Sequence, residues 1–118
     1  MLALTGTQRI MLYRTATDMR KSFDGLSGLV RQHFDDQLFS GALYVFLNRR
    51  RTLVKILYWD RDGLAVWSKR LERGTFRMPQ AREGRVELSA VELSMLLAGV
   101  TPRRMNVRYE RPAAGALA

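Results

Sequence analysis

Apolar residues recur at two different periods along this chain, and the switches between them mark the expected elements. From Asp18 to Asp35 they fall three and four residues apart, at Met19, Phe23, Leu26, Val30 and Phe34. Asp24, Ser27, Arg31 and Asp35 fill the opposite side, a pattern that predicts an amphipathic helix. Gly25 and Gly28 each cost such a helix about 1 kcal/mol relative to alanine, and small residues there suit a close approach to a sheet. Ahead of it, residues 9–14 read as a first short strand, and Phe39-Ser40-Gly41 as a loop.

The period then changes. Residues 42–47 and 53–59 are strand-like runs separated by the polar stretch Asn48-Arg49-Arg50-Arg51-Thr52, which reads as a hairpin loop. Residues 53–59 are apolar on both faces except for Lys55, which places them centrally. Asp60-Arg61-Asp62-Gly63 carries an Asp-Gly turn signal, and 64–71 returns as the next strand. A turn at 60–63 sets residue 59 opposite 64, so Leu57 meets Val66, Lys55 meets Ser68 and Leu53 meets Arg70 on one face. Tyr58 then meets Ala65, Ile56 meets Trp67 and Val54 meets Lys69 on the other. The second face is expected to pack on the helix, and the first to be mixed, with a polar end near Lys55 and Arg70.

Residues 75–85 hold Pro79 and several arginines between Gly74 and Gly84, which predicts a mobile basic loop. A short strand at 85–88 follows. Ser89-Ala90-Val91-Glu92 is a capping box opening a short helix that Gly99 ends. The expected fold is α+β: an antiparallel sheet of four to five strands packed against one main helix, with a short C-terminal helix. Residues 1–100 are expected to form a single globular domain, and 101–118 a flexible, arginine-containing tail.

Composition narrows the class. The chain has 118 residues, 47% of them apolar, enough for one core and too ordered a balance for a disordered protein. No apolar run approaches the ~20 residues that span a bilayer. The first residues lack the basic and long apolar regions of a secretory signal, so a cytoplasmic location is expected. There are no cysteines and one histidine, His33, which removes disulfides, thiolate sites and a zinc site built on histidines. His33 beside the apolar stripe is expected to serve packing.

Charge changes the picture most. The chain carries a formal +9, and residues 49–85 hold eleven Lys or Arg against four Asp or Glu, a net +7. Seventeen of the twenty basic residues are arginine, whose planar fork grips phosphate in bidentate fashion. Such a concentration draws phosphate backbones through Coulomb attraction and counterion release. Tyr44, Phe46, Tyr58, Trp59, Trp67 and Phe76 interleave with the basic residues. The mixture fits a surface that stacks bases and holds phosphates, and it equally fits core aromatics backed by a solvated basic face.

Catalytic chemistry finds little support. Asp60 and Asp62 are explained by their turn, and Asp18 and Glu72 by a cap and a strand end. A three-carboxylate metal site needs a larger scaffold than this. Serine and threonine lack a general base, and the glycines never take phosphate-loop spacing. No catalytic residue, metal or cofactor is expected. The candidate nucleic-acid contacts are Arg49, Arg50 and Arg51 at the hairpin tip, Lys55, Lys69 and Arg70 on the sheet, and Arg73, Arg77 and Arg82 in the loop.

Several ordered segments carry a resemblance: Thr17 to Leu26, Phe39-Ser40-Gly41, Lys55 to Asp60, Asp62-Gly63, and Lys69 to Phe76 with Pro79. In this order and spacing they resemble the TnpB accessory proteins of bacterial insertion-sequence family sixty-six, over roughly residues 8–100. Met78 stands where that family often has tryptophan, and Ser68 where an aromatic is common. The resemblance implies a role in DNA transposition beside a separate, larger catalytic transposase and another accessory protein, and it transfers no catalytic residue. Two readings stay open. One is a DNA-binding factor, possible as a homo-oligomer, that helps assemble the transposase on element ends. The other is a protein–protein adaptor whose basic face meets an acidic partner.

Overall fold

In the computed structural model, which describes residues 8–34, 38–78 and 86–99, the central hairpin carries the pairing its turn dictates. Strand β3 (Leu53–Asp60) runs antiparallel to β4 (Gly63–Arg70), with Leu57 opposite Val66, Lys55 opposite Ser68 and Ile56 opposite Trp67. Pairing continues one step further than expected, to Asp60 opposite Gly63, so the turn narrows to Arg61 and Asp62. Strand β2 (Leu43–Leu47) pairs antiparallel with the other side of β3. The meander of 43–47, 53–60 and 63–70 is therefore present.

Among the described residues the sheet has five strands in the order β4-β3-β2-β1-β5, with β1 at Ile10–Tyr13 and β5 at Val86–Leu88. It is mixed rather than wholly antiparallel: β1 runs parallel to β2, with Ile10 opposite Leu43 and Tyr13 opposite Phe46. A parallel pair needs a long crossover, and the helix α1 (Phe23–His33) lies in that connection. Strand β5 returns antiparallel to β1, and the exposed Arg9 side chain bonds Glu87 across that pair at 3.0 Å.

Each face of the sheet has its own core. On one, Leu26, Val30 and Phe34 pack with the 3-10 turn residue Leu38 and with Tyr44, Phe46 and Leu57. On the other, Leu12, Val45, Val54, Ile56 and Phe76 pack with Leu93 and Leu96 of α2 (Ala90–Ala98). This reverses the expected facing: α1 covers the Leu57–Val66 face, and the Ile56–Trp67 face packs against α2 and Phe76. Lys55 had marked the first face as polar, yet its amine is turned to backbone carbonyls and its strand neighbours remain free to bury.

That same lysine explains why α1 begins later than its pattern suggests. Lys55 Nζ donates to the carbonyls of Met19 and Lys21, each at 2.8 Å. Those are carbonyls a helix starting at Asp18 would spend on its own N–H groups. Residues 18–22 form a turn instead, in which Asp18 accepts from the Arg20 backbone at 2.9 Å and from its guanidinium. Phe23, in the expected apolar stripe, is left exposed. At the other end, Asp35 lies outside the described residues. His33 is exposed too, its ring 4.9 Å from that of Tyr13.

Helix α2 matches its sequence signals. Ser89 accepts from the Glu92 backbone at 3.1 Å while Glu92 accepts from the Ser89 backbone at 2.8 Å. Gly99 closes the helix at a φ of 76°, where a side chain would be strained. No helix among the described residues is long and apolar enough to cross a membrane.

Candidate nucleic-acid interface

The tip between β2 and β3 is held together by Asn48. Its side-chain oxygen accepts from the backbone of Thr52 at 2.9 Å and of Leu53 at 3.0 Å, and its amide nitrogen donates to the Thr52 hydroxyl at 3.1 Å. The Arg51 N–H donates to the Asn48 carbonyl at 3.0 Å. Arg49, Arg50 and Arg51 are thereby presented, exposed, on a loop whose backbone is fixed from within. Arg51 sits at a φ of 59°, in the left-handed region that costs a side-chain-bearing residue about 1–2 kcal/mol relative to glycine.

Register brings the second group to the same place. Lys69 lies opposite Val54 and Arg70 opposite Leu53, so both stand at the end of edge strand β4 that adjoins this tip. They are exposed and point to opposite faces. The chain then leaves β4 by bonding back to the tip: the Leu71 N–H donates to the Thr52 carbonyl at 2.8 Å, and the Phe76 N–H to the Arg51 carbonyl at 2.7 Å. Phe76 is fully buried in the α2-side core, with Leu71 and Met78 packed at its margin.

Residues 71–78 are therefore anchored, which corrects the expected mobile loop over 75–78; its remainder, 79–85, lies outside the described residues. One large aromatic, fully buried, stabilises by about 1.5–3 kcal/mol. The anchoring sets Arg73 and Arg77 beside the tip. Arg73 is exposed and Arg77 half-buried. The Arg77 Nε is itself buried and finds no hydrogen-bond acceptor among the described residues. Arg82 lies outside the described residues.

Six of the expected contact residues thus gather with Arg77 on one rim: Arg49, Arg50, Arg51, Lys69, Arg70 and Arg73. Lys55 stands apart, on the α1 face, with two of its three N–H donors committed to carbonyls. The aromatic contribution shrinks, because Tyr44, Phe46 and Phe76 are core residues. Trp59 lies at the opposite end of β3, its ring edge-on to the exposed Phe39 at 4.9 Å and its Nε1 donating to the Arg61 carbonyl at 3.1 Å. Phe39 was legible only as part of a loop motif; a lone aromatic in a loop gives no sign of exposure. Among the described residues, no group of three or more His, Asp or Glu is placed to hold a metal ion.

Comparison with known proteins identifies the family of the chain. A profile of the IS66 Orf2-like proteins, TnpB of IS66, matches residues 8–107. Two relatives come from Sinorhizobium fredii, both named only as uncharacterized proteins. One, y4hO, is 35% identical over 78% of this chain and 80% of its own length. The other, y4jC, is 33% identical over 83% of this chain and 84% of its own. No solved structure matches the chain. With the profile spanning all the described residues, the chain belongs to the IS66 Orf2-like family of insertion-sequence accessory proteins.

Proposed function

We propose that this protein is a non-catalytic accessory factor of transposition that binds DNA through the basic rim and helps assemble a separate transposase on the element. The observation that carries the reading is the bond from Phe76 to Arg51, which holds two arginine-bearing segments, distant in sequence, on one edge of the fold. Like charges crowded at a rigid tip gain nothing from one another, and their repulsion falls when phosphates arrive. The presence of arginine at a position whose backbone favours glycine is consistent with this reading.

Arg49, Arg50, Arg51, Lys69, Arg70 and Arg73 supply the phosphate contacts, with Arg82 as a further candidate in the segment beyond. Lys55 serves chiefly to fasten the turn before α1. Half-buried and core aromatics leave little for base stacking near the rim, so duplex phosphates are the favoured ligand over a single strand. A gel shift of the pure protein against element-end and random duplexes, repeated across salt, tests the reading. Binding that weakens steeply with salt supports it. Protein that ignores DNA at low salt points instead to an adaptor between the transposase and another accessory protein.

A further inference from the structure

We infer that edge strand β4 pairs with the same strand of a second copy of this chain, antiparallel across a two-fold axis, to make a dimer. This goes beyond the DNA-binding reading and holds whether or not the rim takes phosphate. Of the two sheet edges among the described residues, β5 offers three residues and β4 eight. The bond from the Leu71 N–H to the Thr52 carbonyl continues the β3–β4 ladder and fixes its phase. Odd-numbered residues of β4 turn their N–H and C=O toward β3, while Leu64, Val66, Ser68 and Arg70 turn theirs outward. Among the described residues, no hydrogen bond takes up those outward groups.

Proteins commonly blunt a long edge with proline, a bulge or an inward-pointing charge. Strand β4 carries no proline, and it pairs with β3 residue for residue, without a bulge. Leu64, Ala65, Val66 and Trp67 are only half-buried in the single chain, so apolar area remains to be covered.

Charge selects the occupant. Lys69 and Arg70 stand at one end of β4, and Asp60 and Asp62, with Arg61 between them, stand at the other. An antiparallel copy lays the basic end of each strand beside the acidic end of its mate, whereas a parallel copy would set like ends together. Centring the pair on Val66 keeps outward backbone groups opposite outward backbone groups. It sets Leu64 opposite Ser68, Ala65 opposite Trp67 and Asp62 opposite Arg70 of the second copy. The small Ala65 leaves room for the facing indole, and two-fold symmetry makes every such contact twice. A guanidinium has enough donors for Arg70 to serve a carboxylate and a phosphate together.

Sedimentation equilibrium of the full chain, freed of nucleic acid and run over a range of concentrations, tests the inference. One strand pair is a small interface, so a dissociation constant of about 1–100 µM is expected. Ser68→Pro removes an outward N–H at an exposed position and no bond to β3. It should stay monomeric where wild type dimerises, with a cooperative urea transition like that of wild type. Arg70→Asp and Asp62→Arg each set like charges opposite one another and should weaken dimerisation about tenfold. Combined in one chain, they should restore it. The two positions lie about 26 Å apart along an extended strand, too far to meet within one chain, so recovery reports pairing between copies. A wild-type chain that is monomeric throughout overturns the inference. A dimer that survives Ser68→Pro places the contact elsewhere and overturns it too. So does a double variant that associates no better than either single one, and this arm decides alone if Ser68→Pro fails to fold.

Discussion

The backbone N–H of Phe76 donates to the carbonyl of Arg51 at 2.7 Å, tying a loop that follows β4 to the hairpin tip that precedes β3. Phe76 is fully buried and Arg51 exposed, so the bond runs from the core to the three-arginine tip. Stability and charge presentation are linked through it.

Phe76→Ala should therefore do two things. Removing a fully buried ring from the α2-side core should cost about 3–5 kcal/mol, read as a lower urea midpoint with an unchanged m-value. At temperatures where the variant remains folded, the loosened loop should also weaken DNA binding, since Arg73 and Arg77 lose their fixed place beside the tip.

Lys55→Met tests whether Lys55 is a fastener or a contact. The substitution leaves the Met19 and Lys21 carbonyls without their donor and should cost about 1–3 kcal/mol in denaturant unfolding. The dependence of DNA affinity on salt should stay close to that of wild type. A slope reduced by a full contact, with stability unchanged, would return Lys55 to the interface.

Asn48→Ala should loosen the tip from within. Three hydrogen bonds of its side chain close the loop, and two reach backbone N–H groups. Loss of about 1–2 kcal/mol is expected by urea unfolding. Hydrogen exchange at Thr52 and Leu53 should accelerate more than exchange in α2, because the damage is confined to the tip.

Acid should act through the turn before α1. Hydrogen bonds from the Arg20 side chain and backbone hold the Asp18 carboxyl well below the usual carboxylate range. A group whose pKa is lower folded than unfolded stabilises above its unfolded pKa, near 4, and loses that contribution as pH falls through the folded value. Wild type should thus exceed Asp18→Asn in urea midpoint at pH 7, with the gap closing progressively below about pH 4. A gap that widens on acidification would contradict the assignment.

The β3–β4 register was legible because a short turn leaves few ways to pair two strands, and one-residue slips would flip Ile56 and Trp67 away from their core. The capping box of α2 was legible for a similar reason: its hydrogen bonds are local. What escaped the sequence depends on contacts distant along the chain. The parallel pairing of β1 with β2 is decided by a crossover through α1. Lys55 looks like a polar interruption of its strand until the carbonyls of Met19 and Lys21 are placed over it. Arg49 to Arg73 could be recognised as a charge concentration, but the gathering of tip, edge strand and loop on one rim required the burial of Phe76. That residue reads in sequence as one more aromatic in a basic segment.

The central claim is that the rim binds DNA through its phosphates. It is tested most directly by the salt dependence of duplex binding for wild type and for Arg49→Gln/Arg50→Gln/Arg51→Gln. Up to three lost phosphate contacts should flatten the slope of log K against log[salt] by about 0.9 each, roughly 2–3 in all. Thermal melts of the two proteins should agree closely, because exposed tip charges typically contribute within about 0.5 kcal/mol. Equal slopes for wild type and the triple variant, or wild-type protein that fails to bind duplex DNA at low salt, would contradict the account.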